Sequence, residues 1–258
     1  MPWGRLNGVI AHLESGGCLL TQNLRQARIL RRLHDRAQIA AGRVVWPSAQ
    51  VLPLEAWLMQ LWRDAGTADP KLPQLLPMVA LRWLWRRQTA ADAPGLLDPA
   101  ELGARARTSW LRLREQGGNL GDLTRYPLTR DQQAFVAWAR GAEQELAERN
   151  AGDPADLARL LVASGALPRP GPPLMLAGFR RLTPSQSALI AALAARGWSV
   201  TQLQPAMDAG VIRRHAASDP ESERAAMLDW ASLRLERQPQ GLHALIVPDL
   251  AANRGAIS

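Results

Sequence analysis

The strongest constraint on the fold is an alternation of short apolar runs with stretches of helical periodicity. Residues 16–21 form an apolar run that leaves a glycine turn, and a long helical pattern begins at Asn23. The run at 174–177 is followed in the same way by a helix start at Thr183-Pro184. Buried strands that alternate with helices are typical of a parallel sheet. The sequence therefore predicts an α/β fold built on a parallel β-sheet.

Further segments extend this alternation. They are candidate strands at 199–203, 211–215 and 242–247, and a helix at 220–237 that Asp219 caps. The run at 44–51 contains β-branched residues but is broken by Pro47, so it fits either a second strand or an extended connection.

Between these segments, residues 53–163 show helical periodicity almost throughout. Asp98 and Asp153 each precede a proline, which favours a helix start because aspartate accepts backbone N–H bonds and proline occupies the first helical position. Residues 168–173 form a proline-rich linker. This organisation predicts four segments: the first part of an α/β domain (1–52), a helical insertion (53–167), the remainder of the α/β domain (168–240) and the start of a truncated second domain (241–258).

The chain carries an excess of positive charge, with a formal net charge of +8. Nucleic acid is the expected partner, because clustered cations neutralise phosphates and accelerate encounter. Almost all of the excess is arginine, and Lys71 is the only lysine. A GC-rich genome also produces an arginine bias, so charge by itself leaves both explanations open.

Composition excludes several kinds of site. Cys18 is the only cysteine, so the chain has no internal disulfide framework, four-cysteine zinc site or cysteine-held iron–sulfur cluster. The four histidines are widely separated, and we expect neither a metal ion nor another cofactor. No apolar run approaches the roughly 18 residues of a membrane span, and no signal-peptide core precedes Cys18. We therefore expect a cytoplasmic protein without membrane contact.

The turn after the first predicted strand lacks the residues of a phosphate-binding loop. A GxxxxGK loop holds phosphates with the backbone N–H groups of its glycines and with its lysine. The corresponding turn, residues 21–25, contains neither glycine nor lysine. Only Arg25 and the nearby Arg28 remain to meet a phosphate.

Five stretches resemble one known protein family. They are 19–28, 45–47, 52–58, 176–186 and 245–250. In these stretches the chain resembles the superfamily-one helicase fold of UvrD and of the AddB and RecB helicase-nucleases, and most closely the AddB-like bacterial DNA repair proteins. The resemblance implies a RecA-like, parallel-sheet domain interrupted by a large all-helical insertion. It also implies that a second motor domain and a C-terminal nuclease domain would follow Ser258, so the chain resembles the N-terminal part of a longer protein.

The resemblance also locates the residues that an active ATPase would need. In active relatives the second motif strand ends in an Asp-Glu pair and an aromatic residue, and a glutamine lies eight residues beyond the glutamate. The matching positions are Ala177, Gly178, Phe179 and Gln186. The carboxylates that would bind magnesium and activate water are therefore missing. We expect no catalytic residues and no ATP-driven chemistry in this segment, whereas full-length relatives would be nucleases.

Two groups of residues are candidates for DNA contact. Arginines at three- and four-residue spacing give the helix after Thr21 a basic face, and a second group combines arginine with tryptophan. The candidates are Arg25, Arg28, Arg32, Arg36, Arg82, Trp83, Trp85 and Arg86. Tryptophan stacks on unpaired bases while arginine contacts the backbone. A solvated helix face and a tryptophan-rich helical core explain the same patterns without DNA.

The leading hypothesis is a non-catalytic, helicase-like region of a DNA repair or recombination protein that binds single-stranded DNA or a duplex end, or supports a nuclease made elsewhere. The first alternative is a protein-interaction module without DNA affinity, completed by a helicase or nuclease partner subunit. A stand-alone hydrolase or transferase is the second, and the absence of clustered acids, histidines and glycine loops disfavours it.

Overall fold

The chain divides into two compact units, Met1–Ala206 and Met207–Ser258. The computed structural model describes residues 3–90, 98–203, 214–241 and 243–247. Every described strand belongs to the first unit, whereas the second unit is built on one described helix. The division into four segments stays a prediction.

Four parallel strands form the main sheet of the first unit, which confirms the α/β class. The strands in chain order are β1 (Cys18–Thr21), β2 (Val51–Pro53), β3 (Gln74–Leu75), β4 (Ala151–Gly152), β5 (Leu174–Ala177) and β6 (Val200–Leu203). The main sheet has the spatial order β2-β1-β5-β6, and every pair in it is parallel. β3 and β4 pair separately in a small parallel sheet that the sequence does not predict.

In the described ranges the structure contains the helices predicted from the sequence and two further ones, at residues 3–14 and 120–123. They are α1 (Trp3–Glu14), α2 (Leu24–Ala40), α3 (Leu54–Ala68), α4 (Met78–Ala90), α5 (Pro99–Glu115), α6 (Leu120–Leu123), α7 (Arg130–Glu148), α8 (Leu157–Ser164), α9 (Pro184–Ala195) and α10 (Pro220–Arg237), with a 3-10 turn at Pro154–Asp156. Residues 53–163 are thus helical for most of their described length, as predicted. No helix in the described ranges is long and apolar enough to cross a membrane.

Both faces of the main sheet are covered by helices. Leu20 and Leu176 belong to a core that includes buried residues of α3, α8 and α9. Leu19 and Ala177 belong to a second core, which includes buried residues of α1 and α2. Successive residues of a strand point to opposite faces, and a parallel sheet is stable when both faces are buried. The apolar character of β1 on both sides follows from this position at the centre of the sheet.

A separate hydrophobic core lies among α4, α5, α6 and α7. Trp85 and Trp110 are its largest fully buried side chains, and their ring centroids lie 5.8 Å apart. At Gly103 a β-carbon would come within 2.8 Å of the Trp85 backbone, so α4 and α5 approach closely there. Arg107 donates two hydrogen bonds to the buried Asp153, at 2.7 and 2.8 Å, and ties α5 to the turn before α8.

The second unit contains α10, which begins after Asp219 as predicted. Asp219 accepts a hydrogen bond from Ser222 N at 2.8 Å, and this bond is the largest contribution that lowers the pKa of Asp219 to about 2. None of the residues of α10 is buried. Trp230 packs edge-on against His243, with ring centroids 6.4 Å apart.

One strand prediction is wrong for the described residues, and another lies partly outside them. Residues 243–247 have no regular secondary structure, so the strand predicted at 242–247 is wrong for them. Ile246 is 90% exposed, and an apolar run becomes a strand only where a neighbouring strand accepts its hydrogen bonds. Of the candidate strand at 211–215, residues 211–213 lie outside the described residues, and the remaining two have no regular structure. In the run at 44–51, Val51 alone joins a strand, so the rest is a connection.

We expect Trp85→Ala to lower the free energy of unfolding by about 3–5 kcal/mol, because it leaves a cavity in the α4–α7 core. Trp83→Ala should cost only about 1 kcal/mol, because that ring is 53% exposed and contacts arginine. Urea unfolding followed by circular dichroism measures both values. Equal losses in the two variants would contradict the placement of Trp85 in the core.

Candidate functional site

The main sheet reverses its winding direction between β1 and β5. Along the chain, β1 leads to β2 on one side of the sheet, whereas β5 leads to β6 on the other. Thr21 and Ala177 pair at the carboxyl ends of these two central strands. In open parallel sheets, ligands bind outside the carboxyl ends of the strands at such a switch point. The candidate site therefore lies at this edge.

An open groove of about 600 Å³ occupies this edge. It is lined by Gln22, which follows β1, and by Gly178, Arg180 and Arg181, which follow β5. Both arginines are exposed. Because the described lining contains two guanidinium groups and no carboxylate, the groove is basic and suits an anionic ligand.

The turn from β1 into α2 is closed by its own side chains. Asn23 Oδ1 accepts a hydrogen bond from Gln26 N at 2.9 Å, and Gln26 Oε1 accepts one from Gln22 N at 3.2 Å. Thr21 Oγ1 donates to Asn23 O at 3.0 Å. A phosphate-binding loop offers unpaired backbone N–H groups to its ligand, whereas these side chains already occupy two such groups. Two of the backbone N–H groups at this turn are therefore already paired with side chains of the protein.

Gly178 is the position that the resemblance proposed from the sequence would match to a glutamate of active helicases. Its φ is +86°, a left-handed conformation that favours glycine. A β-carbon at Gly178 would come within 2.8 Å of both Nε2 and Oε1 of Gln26. The conformation and the close approach both disfavour a longer side chain here. The contact also shows that the first turn of α2 borders the loop after β5.

The other three positions of the degenerate motif have structural roles. Ala177 is buried at the end of β5, and Phe179 is buried in the core beneath α9. Gln186 belongs to a capping box with Thr183: Thr183 N donates to Gln186 Oε1 at 3.0 Å, and Gln186 N donates to Thr183 Oγ1 at 3.4 Å. The start of α9 therefore accounts for this glutamine without a nucleotide.

Six exposed arginines lie on α2 and on the loop after β5, and we call them the edge arginines. They are Arg25, Arg28, Arg32, Arg36, Arg180 and Arg181. None of their side chains forms an ion pair or hydrogen bond with another residue in the described part of the chain. The remaining α2 arginine differs, because Arg31 donates to Val51 O and anchors the helix to β2. The sequence analysis missed Arg180 and Arg181, although both directly follow Phe179 of the degenerate motif.

The second predicted group of DNA contacts is split by the structure. Arg82, Trp83 and Arg86 are exposed on α4. Trp85 is only 1% exposed and packs in the core, so it has no face available for a base. This corrects the prediction for Trp85, and the reason is that residues two apart on a helix point in different directions.

A more enclosed cavity of about 250 Å³ has a different character. Its lining includes Glu55 of α3, Glu115 of α5 and Asp156. Burial raises the pKa of Asp156, although Arg159, which donates to its Oδ2 at 2.6 Å, acts in the opposite direction. No group of three or more metal-ligating side chains occurs among the described residues. This cavity therefore offers no recognisable metal centre.

The single cysteine is not placed for chemistry. Burial raises the pKa of the Cys18 thiol to about 11, so the thiol stays protonated at neutral pH. A nucleophilic cysteine requires the thiolate form. Cys18 therefore serves the hydrophobic core.

We expect Gly178→Ala to destabilise the fold by about 2 kcal/mol, because the left-handed backbone is unfavourable for alanine and the displaced Gln26 loses its bond to Gln22 N. Gly16→Ala is the matched control, because Gly16 has a φ of +83° and no atom within 4 Å of an added β-carbon. It should cost about 1 kcal/mol. Urea unfolding measures both, and equal costs would show that Gln26 moves away freely.

Comparison with known proteins assigns no family to the chain. No protein-family model matches the sequence, and a search of curated proteins finds no match. The clues to function are therefore the switch point, the groove beside it and the edge arginines.

Proposed function

We propose that this chain is a non-catalytic, helicase-like region of a DNA repair or recombination protein, and that it binds DNA through the edge arginines. In this proposal the main sheet is a RecA-like domain, and the segment from α3 to α8 is a largely helical insertion in it. The region holds DNA for chemistry carried out elsewhere, such as by a nuclease domain or a partner subunit.

The helicase-like part of the proposal is supported by the order of the elements. A central β1, a tight turn into α2 and a neighbouring β5 place the two degenerate motifs side by side at the switch point. Within the segment between β2 and β5, α4–α7 have their own hydrophobic core, whereas α3 and α8 pack in the core of the main sheet. The missing lysine, the missing acids and the self-capped turn agree with a binding function without ATP hydrolysis.

The observation that carries the DNA-binding part is the set of edge arginines. Exposed guanidinium groups without acidic partners gain most from contact with phosphates, since binding releases the counterions of the DNA. Arg25 and Arg28 lie at the start of α2, beside the loop that contains Arg180 and Arg181. In this proposal, DNA contacts the arginines of the groove and those on the exposed face of α2.

One observation favours the second candidate, a protein-interaction module. On α10 the side chains of Trp230, Leu233 and Leu235 are exposed, and no residue of this helix is buried. Exposed apolar side chains clustered on one element often mark a protein-binding surface. DNA binding and this candidate differ in their dependence on salt.

We expect the protein to bind labelled duplex and single-stranded DNA with an affinity that falls steeply as salt rises. Arg28→Gln/Arg32→Gln and Arg180→Gln/Arg181→Gln should each weaken binding and reduce the slope of log Kd against log salt by about 1–2, because each lost phosphate contact removes somewhat less than one unit. Fluorescence anisotropy over a salt series measures both quantities.

Arg63→Gln/Arg130→Gln is the matched control, because it removes the same charge from two exposed positions on α3 and α7. If this control weakens binding as much as the edge variants, binding reflects net charge and not a defined surface. If the wild-type protein ignores DNA even at low salt, the interaction module becomes the better explanation.

We also expect no ATP hydrolysis, with or without DNA. The turn after β1 has no lysine, and Ala177 and Gly178 provide no carboxylate for magnesium or water. Phosphate release by the purified protein, compared with a sample from which the protein has been depleted, tests this expectation. DNA-stimulated release would contradict the non-catalytic assignment.

A further inference from the structure

We propose that Trp83 and the arginines around it form a stacking site for an unpaired base of single-stranded DNA. This inference rests on the proposed function, DNA binding, but it concerns a different surface, on α4 and the end of α7. It specifies which form of DNA this surface binds and which side chains order the surface before DNA binds.

The indole of Trp83 is exposed and has two guanidinium groups close to its ring. Arg87 Cζ lies 4.7 Å from the ring centroid, and Arg149 Cζ lies 5.9 Å from it. Trp83 itself is 53% exposed. An exposed indole with adjacent arginines is typical of single-strand binding surfaces.

A buried carboxylate holds both arginines in place. Glu145 is 6% exposed, accepts a hydrogen bond from Arg87 Nη2 and forms an ion pair with Arg149, whose Nη2 lies 2.6 Å from Oε1. Gln88 Nε2 also donates to Glu145, at 3.0 Å. Because the guanidinium groups are already ordered, a ligand that contacts them loses less conformational entropy on binding. The surface is therefore prepared before any ligand arrives.

The charge of this surface suits a polyanion. α4 contains three arginines, Arg82, Arg86 and Arg87, and no acidic residue. Arg86 is exposed three positions after Trp83 and is its neighbour on the helix surface, and Arg82 is exposed one position before it. The nearby acid Glu145 is already paired with two arginines. A strand with a base on Trp83 would thus find cations for its neighbouring phosphates.

The geometry favours a single strand over a duplex. In duplex DNA the faces of the bases are stacked on each other, and only their edges are accessible without extruding a nucleotide. An exposed indole offers a flat face, which pairs with the face of an unpaired base. An acidic peptide is the alternative ligand for the same surface, and its contact with the indole would not require bases.

The test compares Trp83→Leu and Trp83→Phe in the whole chain, with a labelled thymidine 15-mer and a hairpin duplex as probes. We expect Trp83→Leu to weaken binding of the 15-mer about tenfold, while Trp83→Phe retains most of it, because a base stacks on any aromatic ring. Duplex affinity should not change in either variant. Thermal unfolding checks that both variants are folded.

A salt series separates stacking from charge. Trp83→Leu should shift log Kd without changing its slope against log salt, because stacking releases no counterions. Arg82→Gln/Arg86→Gln should reduce the slope for the 15-mer by about 1.4, from about 0.7 for each phosphate contact. Tyr126→Leu is the control: Tyr126 is 73% exposed, has no arginine stacked on it in the described part of the chain, and should leave binding unchanged.

The outcomes distinguish this inference from the proposed function. If the wild-type protein binds neither probe, the proposed function fails and this inference fails with it. If it binds both probes and Trp83→Leu binds the 15-mer as well as wild type does, only the stacking site is overturned. An equal loss for the 15-mer and the duplex also overturns it. The stacking site is likewise overturned if binding of an acidic peptide depends on Trp83 and binding of the 15-mer does not.

Discussion

The pairing of β1 with both β2 and β5 is the constraint on which the rest of the first unit depends. β1 is four residues long, is buried along its whole length and has a parallel neighbour on each side. Parallel neighbours require long crossover connections, so α2 and the whole segment from α3 to α8 must return the chain to the same edge. The switch point between β1 and β5, and hence the groove beside it, is a direct product of this arrangement.

Local signals in the sequence predicted much of this fold. Asn23, Asp98, Thr183 and Asp219 each cap the helix that follows, and a capping residue acts within three residues of itself. The elements that escaped prediction depend on distant partners. α1 contains Gly4 and Gly8, which weaken any local helix signal, and the buried Val9 and Leu13 hold it against the sheet. β3 and β4 are two residues each and exist only because they meet.

Those parts of the candidate site that depend on local sequence were also predictable. The basic face of α2 follows from helical spacing, and the missing phosphate loop follows from the residues of one turn. Arg180 and Arg181 become candidates because the loop that contains them borders the first turn of α2, which is far away in the sequence. The different environments of Trp83 and Trp85 depend on which side of α4 meets α5 and α7, because each of the two sides carries one tryptophan. Gln186 shows the opposite case, in which a motif position is explained by helix capping.

The two hydrophobic cores differ in how far along the chain their members are separated, and this bears on the order of folding. The α4–α7 core is assembled from one continuous stretch, whereas Cys18 must find Leu174 more than 150 residues later. Closing a longer loop costs more entropy, and structures dominated by non-local contacts form slowly. The helical core can therefore assemble early and act as a compact bridge that shortens the effective loop between β2 and β5. On this basis, the sheet and the groove at its edge are the last parts of the first unit to form.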